Sequence, residues 1–349
     1  MNRHIIPHTH TILQALEMLN SLSGGAMTLF VTDGSNHMMG SLTDGDIRRG
    51  LLSGHNPTDT VESVMHRSFC ALRGPEVDVE QLRNIRERGL RLIPVLAPDG
   101  TVIRIIDTTV TPSCLPVTAI LMAGGKGERL RPLTLTTPKP LLEVGGIPII
   151  DHNIHALARA GVKNTYVTVN YLADQIEAHF ANPVAGVKVH CVRESKPLGT
   201  IGSAKLAPVP EHGVTIIMNS DLLTDVSLED MYLTHISEQA AITIAAIPYN
   251  VSVPYAILTT QGHTVTALEE KPSYAFYANA GIYMINNELI HDIPADTRMD
   301  ATDLIEKAIN NHLKVAYFPI SGTWLDIGSP ADYRHACELA AHSIGFNNK

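Results

Sequence analysis

Cysteine is scarce in this chain, and the scarcity is informative. Cys70, Cys114, Cys191 and Cys337 stand far apart with no Cys-x-x-Cys pair, so neither a zinc site nor a disulfide framework is expected. That usage fits a reducing cytoplasm. No stretch approaches the roughly 18 consecutive apolar residues of a membrane span. The opening MNRHIIPHTH lacks the apolar core of a secretory leader. The expectation is a cytoplasmic protein with no membrane partner. Basic charge is in deficit: 26 lysines and arginines against 35 acidic residues give a net charge of −9, which argues against nucleic acid as a partner. Tryptophan occurs once. The 17 histidines scatter without HExxH or other paired spacing, and are read as surface or core residues rather than metal ligands.

What is present is an ordinary globular composition, 44% hydrophobic and 17% charged, spread over 349 residues. That length exceeds one core, so two domains are expected, at 1–113 and 117–349. The first reads as a duplicated unit. Thr11 to Leu22 carries apolar residues at helical spacing, Met27 to Thr32 and Met38 to Thr43 are strands around the turn Asp33-Gly34-Ser35-Asn36, and a helix runs from Asp46 toward Leu52. The second copy repeats the order: a helix at Val79 to Arg88, then strands Leu92 to Leu96 and Thr101 to Ile106 around Pro98-Asp99-Gly100. Two prolines in Thr111 to Pro116 mark a linker.

Beyond the linker strands and helices alternate, as in an α/β protein. Expected strands lie at Thr165 to Val169, Val187 to Val192, Val214 to Met218, Ile242 to Ile247, Tyr255 to Thr259, Val265 to Glu269, Ala280 to Ile285 and Val315 to Pro319. Expected helices lie at Ile149 to Ala160, Ala173 to Phe180, Gly202 to Ala207, Leu228 to Ser237 and Ala301 to Asn311. The apolar run Ala119 to Met122 enters Ala123-Gly124-Gly125-Lys126-Gly127, a buried strand closed by a glycine loop. Such a loop lets backbone N–H groups reach phosphate oxygens. It is neither of two better-known phosphate loops. The dinucleotide fingerprint needs a glycine where Leu130 stands, and the P-loop needs Ser or Thr after its lysine, where Gly127 stands.

The string Met122-Ala123-Gly124-Gly125-Lys126-Gly127-Glu128-Arg129-Leu130-Arg131-Pro132-Leu133-Thr134, followed by Pro138-Lys139-Pro140-Leu141-Leu142-Glu143-Val144 and Pro148, resembles the signature of the sugar-1-phosphate nucleotidyltransferases. The resemblance covers roughly Val117 to Arg334. It implies a Rossmann-like, mixed but mostly parallel sheet flanked by helices. The reaction it implies is attack of a sugar 1-phosphate on the α-phosphorus of a nucleoside triphosphate, releasing pyrophosphate. The nucleophile is already an anion, so the site must neutralise and align two repelling anions rather than supply a base.

Residue by residue, the resemblance gives Ala123, Gly124, Gly125 and Gly127 to the nucleotide, with Glu194 and Gly199 beside its base. Arg129 would clamp the β and γ phosphates, and Lys139 would neutralise the attacking and α phosphates. Asp221, at the end of the apolar strand from Val214, and Asp326, in Trp324-Leu325-Asp326-Ile327-Gly328, would hold Mg²⁺. Ser220 stands where the family usually has glycine. Leu198-Gly199-Thr200, Glu269-Glu270-Lys271-Pro272 and Asn279-Ala280-Gly281 resemble family segments that would bring Thr200, Glu270, Lys271, Asn279 and Gly281 to the sugar phosphate.

In the N-terminal part, Gly40-Ser41-Leu42-Thr43-Asp44-Gly45-Asp46 resembles the end of a CBS motif, making residues 1–113 a small α+β CBS pair. Thr43 and Asp46 would then hold the phosphate and ribose of an adenine nucleotide. The same residues equally describe a helix N-cap. No Thr-x-x-Asp follows Gly100 in the second copy. CBS pairs associate face to face, which implies a homo-oligomer. A CBS pair before a nucleotidyltransferase resembles the guanylyltransferases of bacterial surface sugars, implying GMP transfer from GTP, with glucosamine 1-phosphate as the candidate acceptor. Uridylyl or thymidylyl transfer to a hexose 1-phosphate, or a catalytically silent nucleotide sensor, are the alternatives.

Overall fold

The computed structural model describes residues 3–22, 24–74 and 77–342. The chain divides into two compact units, Met1–Pro116 with Arg159–Gly161, and Val117–Ala158 with Val162–Lys349.

The first unit contains β1 (Ile5–Pro7), α1 (Ile12–Ser21), β2 (Thr28–Thr32), β3 (Met38–Thr43), α2 (Asp44–Leu52), β4 (Leu72–Arg73), α3 (Val79–Glu87), β5 (Leu92–Leu96) and β6 (Val102–Asp107). They form two three-stranded sheets, β1-β2-β3 and β4-β5-β6. Each joins a parallel pair to an antiparallel hairpin, so the duplication read in the sequence is a duplication of topology. The two hairpin turns meet, Met38 N donating to Gly100 O and Val102 N to Asn36 O, both at 3.0 Å. Ile6, Ile12, Leu29, Leu42 and Ile47 form one buried core, and Leu72, Leu82, Ile93 and Val95 another. Strands β1 and β4 escape the sequence pattern because two or three residues show no period.

The second unit opens with β7 (Val117–Ala123), the short hairpin β8 (Glu143–Val144) and β9 (Ile147–Pro148), then α4 (Ile149–Arg159), β10 (Asn164–Val169), α5 (Ala173–His179) and β11 (Val189–Arg193). It continues through α6 (Gly199–Gly202), β12 (Val214–Asn219), β13 (Leu222–Thr224), α7 (Leu228–Ser237), β14 (Ile242–Ser252), β15 (Ile257–Gln261), β16 (Thr264–Glu269) and β17 (Ser273–Asn286). The last elements are α8 (Asn287–His291), α9 (Ala301–Asn310), β18 (Val315–Pro319), β19 (Trp324–Asp326) and α10 (Pro330–His342). Seven strands make the central sheet in the order β11-β10-β7-β12-β17-β14-β18, and β17 is antiparallel to both its neighbours while the other pairings are parallel. This is the mixed, mostly parallel α/β fold expected.

β7 lies inside the sheet, so its residues are buried on both faces. Ile120 packs with Ile217, Ile285, Ile201 and Leu304 on one side. Its neighbours Ala119 and Leu121 are also fully buried, which is why the strand reads as an unbroken apolar run. Truncating Ile120 to alanine would cost about 2–5 kcal/mol. From β7 the chain moves outward to β10 and β11, then crosses back to place β12 on the other side. The carboxyl ends of β7 and β12 therefore flank a topological switch point, where open α/β sheets bind ligands.

Two local expectations are corrected. The helix expected at Gly202 to Ala207 is α6 at Gly199–Gly202 followed by a 3₁₀ turn at Ser203–Leu206. The strands expected at Ile242 to Ile247 and Ala280 to Ile285 are β14 and β17, each extended into a long two-stranded ribbon beyond the sheet. The extra residues pair only with each other, so no sheet-face pattern announces them.

Candidate active site

The glycine loop after β7 is shaped by contact with the segment that carries Lys139. At Gly127 φ is +60°, and a side-chain carbon there would lie 2.9 Å from Thr134 Cγ2 and 3.1 Å from Lys139 Cβ. Thr134 Oγ1 donates to Gly127 O at 2.8 Å and closes the loop. Only glycine meets both the positive φ and the close approach. Arg129 follows in a 3₁₀ turn, Glu128–Leu130, and its guanidinium lies over Gly328, where a side-chain carbon would be 3.3 Å away.

Across the switch point, β12 delivers Asp221. The two-stranded ladder β13–β19 sets Leu222 opposite Asp326, and Ile327 N donates to Asp221 O at 3.1 Å, which draws the second carboxylate toward the first. Between them stands Lys139, buried in its proline-flanked 3₁₀ turn, its Nζ paired with Asp221 Oδ2 and 3.9 Å from Asp326 Oδ1. Burial, and then the nearby Asp221 charge, push the Asp326 carboxyl above its usual range, while Lys139 and Arg129 pull the other way. Asp221 Oδ1 is buried without a hydrogen-bond partner. An orphaned carboxylate oxygen beside a second carboxylate fits a divalent cation with oxygen ligands. Among the described residues no cluster of three His, Cys, Asp or Glu exists, so the remaining ligands would be phosphate oxygens and water. Ser220 is buried and its hydroxyl donates to Met122 O at 2.7 Å. The serine in the glycine's place thus ties the ends of β12 and β7 together.

Two adjoining cavities, each of about 390 Å³, open at these strand ends. The first is lined by Ala123, Gly125, Gly127, Arg129, Lys139, Asp221 and Gly328. The second is lined by Gly124, Gly125, Glu194, Leu198, Gly199, Thr200 and Asp221. Glu194 lies just past β11, buried, with Oε2 accepting from Leu198 N at 3.0 Å. Its Oε1 would sit 2.5 Å from a side-chain carbon at Gly124, so the carboxylate closes over the bare loop. Burial raises the Glu194 pKa above the ordinary 4.5. Gly199, with φ +78°, lies against Met299 O, where a side-chain carbon would be 2.5 Å away. Thr200 is fixed by Asp300: Thr200 N donates to Asp300 Oδ1 at 3.1 Å, and Thr200 Oγ1 accepts from Ala301 N at 2.8 Å.

Sequence reasoning missed Asn219, Arg298 and Asp300, all of which line the second cavity. Asn219 sits two residues before Asp221 on the same strand end, a signal available in the sequence. Arg298 and Asp300 arrive from the start of α9 and had no motif to mark them. Conversely, four residues expected at the sugar phosphate line neither cavity. Glu270 and Lys271 are exposed at the end of β16, Lys271 with φ +46°, because the long ribbon carries this hairpin outward. Asn279 Oδ1 accepts from Gly281 N at 2.9 Å, and Gly281 packs against the Asn219 side chain. These two shape the cavity wall from behind. Trp324 Nε1 donates to Ala280 O at 2.9 Å, anchoring β19 to β17.

In the first unit, Thr43 caps α2 with Asp46 at the third helical position. Thr43 N and Oγ1 both donate to Asp46 Oδ2, at 2.8 and 2.6 Å, and Asp46 N returns a bond to Thr43 Oγ1. Burial works against the Asp46 charge, but the Thr43 bonds and Arg49 hold its pKa below the usual carboxylate value. A cavity of about 440 Å³ is lined by Thr43, Thr28, Phe30, Phe69 and Arg91, but not by Asp46.

Comparison with known proteins agrees with the second unit. The nucleotidyl transferase family profile matches residues 118–343. A mannose-1-phosphate guanyltransferase of Schizosaccharomyces pombe is 32% identical over 226 residues, 62% of either chain. The mannose-1-phosphate guanyltransferase 2 of Candida glabrata is 32% identical over 238 residues, 64% of this chain and 65% of its own. HddC from Yersinia pseudotuberculosis superposes with a TM-score of 0.51 at 26% identity over 64% of this chain and 98% of its own, and it has also been solved complexed with GMP-PN. The chain spans between 61% and 65% of the length of the curated relatives it matches. With a profile that takes in the central sheet from Thr118 onward and both carboxylates, the chain belongs to the nucleotidyl transferase family.

Proposed function

We propose that this chain transfers GMP from GTP to a hexose 1-phosphate, with a divalent cation, Mg²⁺, held by Asp221 and Asp326. The observation that carries the reading is the convergence of Lys139, Asp221 and Asp326 beside the Gly124–Gly127 loop. The relatives' names favour mannose 1-phosphate as acceptor over the glucosamine 1-phosphate implied by the sequence resemblance. The base is read as guanine on the same ground, and Glu194 is the acceptor that would meet it, since a carboxylate takes two N–H bonds from one edge of a base.

In this mechanism the triphosphate lies along the loop, its N–H groups and Arg129 holding phosphate oxygens. Lys139 leaves the carboxylates and faces the phosphates. A phosphate oxygen of the sugar 1-phosphate bonds to the α-phosphorus, the bond from α-phosphorus to the bridging oxygen breaks, and the electron pair departs with pyrophosphate. The cation, when bound, neutralises charge on the α-phosphate. No proton needs to move, so Asp221 and Asp326 are left to hold the cation rather than to act as bases. A silent sensor would need few of these groups, and their joint placement disfavours that alternative. The reaction is read as cytoplasmic, and no described helix is long and apolar enough to cross a membrane.

The first unit is taken as a CBS pair whose cavity beside Thr43 accepts an adenine nucleotide that changes the rate from a distance. Asp46, committed to the cap, would have to give up Thr43 to reach a ribose. Pyrophosphate release measured with four nucleoside triphosphates against mannose, glucose and glucosamine 1-phosphates tests the main reading. GTP with mannose 1-phosphate is expected fastest, and absence of release with every pair rejects it.

A further inference from the structure

The segment from Glu128 to Thr137, which joins the glycine loop to Lys139, belongs to no sheet and builds only short 3₁₀ turns, Glu128–Leu130 and Leu133–Leu135. Leu130 and Thr134 are buried, but Leu133 and Leu135 stand exposed, so burial holds little of its outer half. Its internal backbone bonds are short in range: Leu130 N donates to Gly127 O, and Leu135 N to Pro132 O. Among the described residues, the hydrogen bonds that reach it from beyond Gly127 and Pro138 come from Tyr171 and Gln175. The Tyr171 hydroxyl donates to Thr134 O at 3.0 Å, with Leu135 O 3.4 Å from the same oxygen. Gln175 Nε2 donates to Thr136 O at 2.9 Å. Thr134 is the residue whose own hydroxyl closes onto Gly127. The hold of Tyr171 therefore passes straight to the glycine loop.

Both side chains come from the corner that follows β10. Val169 pairs with Ala123 in the parallel β10–β7 ladder, so the residues after it emerge beside the glycine loop. Asn170 takes the near place: its Cβ would lie 3.4 Å from a side-chain carbon at Gly124, and its Nδ2 donates to Glu194 O at 3.1 Å. Leu172 then holds φ at +50°, a left-handed conformation that costs an ordinary residue energy, and α5 begins at Ala173. One corner thus grips the phosphate side of the site through Tyr171 and the Glu194 backbone through Asn170. We infer that Tyr171 is a positioning residue for the triphosphate, seconded by Gln175, which keeps the phosphate loop in its binding shape before the ligand arrives. Neither side chain lines either cavity, so both act through the loop. A loop already in its bound shape binds with its intrinsic affinity, whereas one that holds that shape part of the time binds more weakly by that fraction. The inference rests on the proposed reading of this loop as a triphosphate cradle.

Hydrogen exchange and steady-state kinetics on the full chain test it together. Tyr171→Phe keeps the ring and loses the hydroxyl. Without ligand, exchange over residues 128–136 should quicken by about three- to tenfold, the range for one lost hydrogen bond, while peptides from β7 and β12 are unchanged. KM for GTP should rise by a similar factor, with kcat and the KM for mannose 1-phosphate held to within about twofold. A merely structural defect would instead lower kcat along with the fraction of folded chain. Gln175→Ala, at an exposed position, should move both readouts the same way and keeps the test decisive should Tyr171→Phe fold poorly. Glu177→Gln, on the same helix but paired with Arg193, should move neither. Exchange over 128–136 that is alike in wild type and both loop variants overturns the inference, whatever reaction the chain performs. So does a KM for GTP that holds while kcat falls. Faster exchange in a chain that releases pyrophosphate with no substrate pair supports the anchor and rejects the proposed reaction.

Discussion

The Lys139 ammonium is paired with the carboxylate of Asp221, 82 residues further along the chain, and both residues line the cavity that the glycine loop also lines. A lone buried ammonium or carboxylate would be costly, and each relieves the other. The same carboxylate keeps one oxygen unpartnered. Under the proposed mechanism the ammonium and a divalent cation would compete for Asp221, and catalysis would need the cation to win.

Replacing Asp221 by asparagine keeps the side chain's shape but removes the charge that pairs with Lys139 and that the proposed cation would need. Turnover is expected to fall at least ~10³-fold, since the lost interaction acts on the transition state. The fold should persist, with a lowered melting temperature because the buried Lys139 ammonium loses its nearest partner. A variant within about tenfold of wild type would take Asp221 out of the mechanism.

Lys139→Met separates two roles. Without the ammonium, Asp221 and Asp326 repel each other and should bind Mg²⁺ more tightly in the absence of nucleotide, by about tenfold in calorimetry. kcat should nevertheless drop by about 10²-fold, because the phosphates lose their cation. Weaker metal binding in this variant would contradict the competition.

Glu194 gives the pH dependence its sign. Burial lifts its pKa above 4.5, so as the pH falls it takes up a proton sooner than an exposed glutamate. The charged form is the better acceptor, so KM for GTP should rise as the pH falls from neutrality, and sooner than an unshifted glutamate would make it, while kcat holds. Glu194→Gln cannot titrate, and its KM should be higher and flat over that range. A wild-type KM that stays constant across the same interval would remove Glu194 from the base site.

Gly199→Ala tests the cavity wall. A methyl at φ +78° would be strained and would meet Met299 O at 2.5 Å. A loss of about 1–3 kcal/mol is expected in urea unfolding, with raised KM for the substrates. Unchanged stability would mean the turn relaxes freely.

Much of this protein is local, and that part is legible from the order of its residues alone. Strand β7 announces itself as an apolar run because burial on both faces leaves no alternation, and α7 begins and ends at the residues its pattern indicates. The glycine loop and the basic residues after it are legible because short-range backbone geometry dictates those residue types. Tertiary structure decides the rest. Lys139, Asp221 and Asp326 meet only because strand order puts β12 beside β7 and a short two-stranded ladder brings β19 to β13. Arg298 and Asp300 enter the cavity, and Glu270 and Lys271 stay outside it, for reasons of long-range packing that no spacing encodes. A sequence states which groups can carry charge, but the separation between charges, on which their energy depends, is set by how distant segments pair.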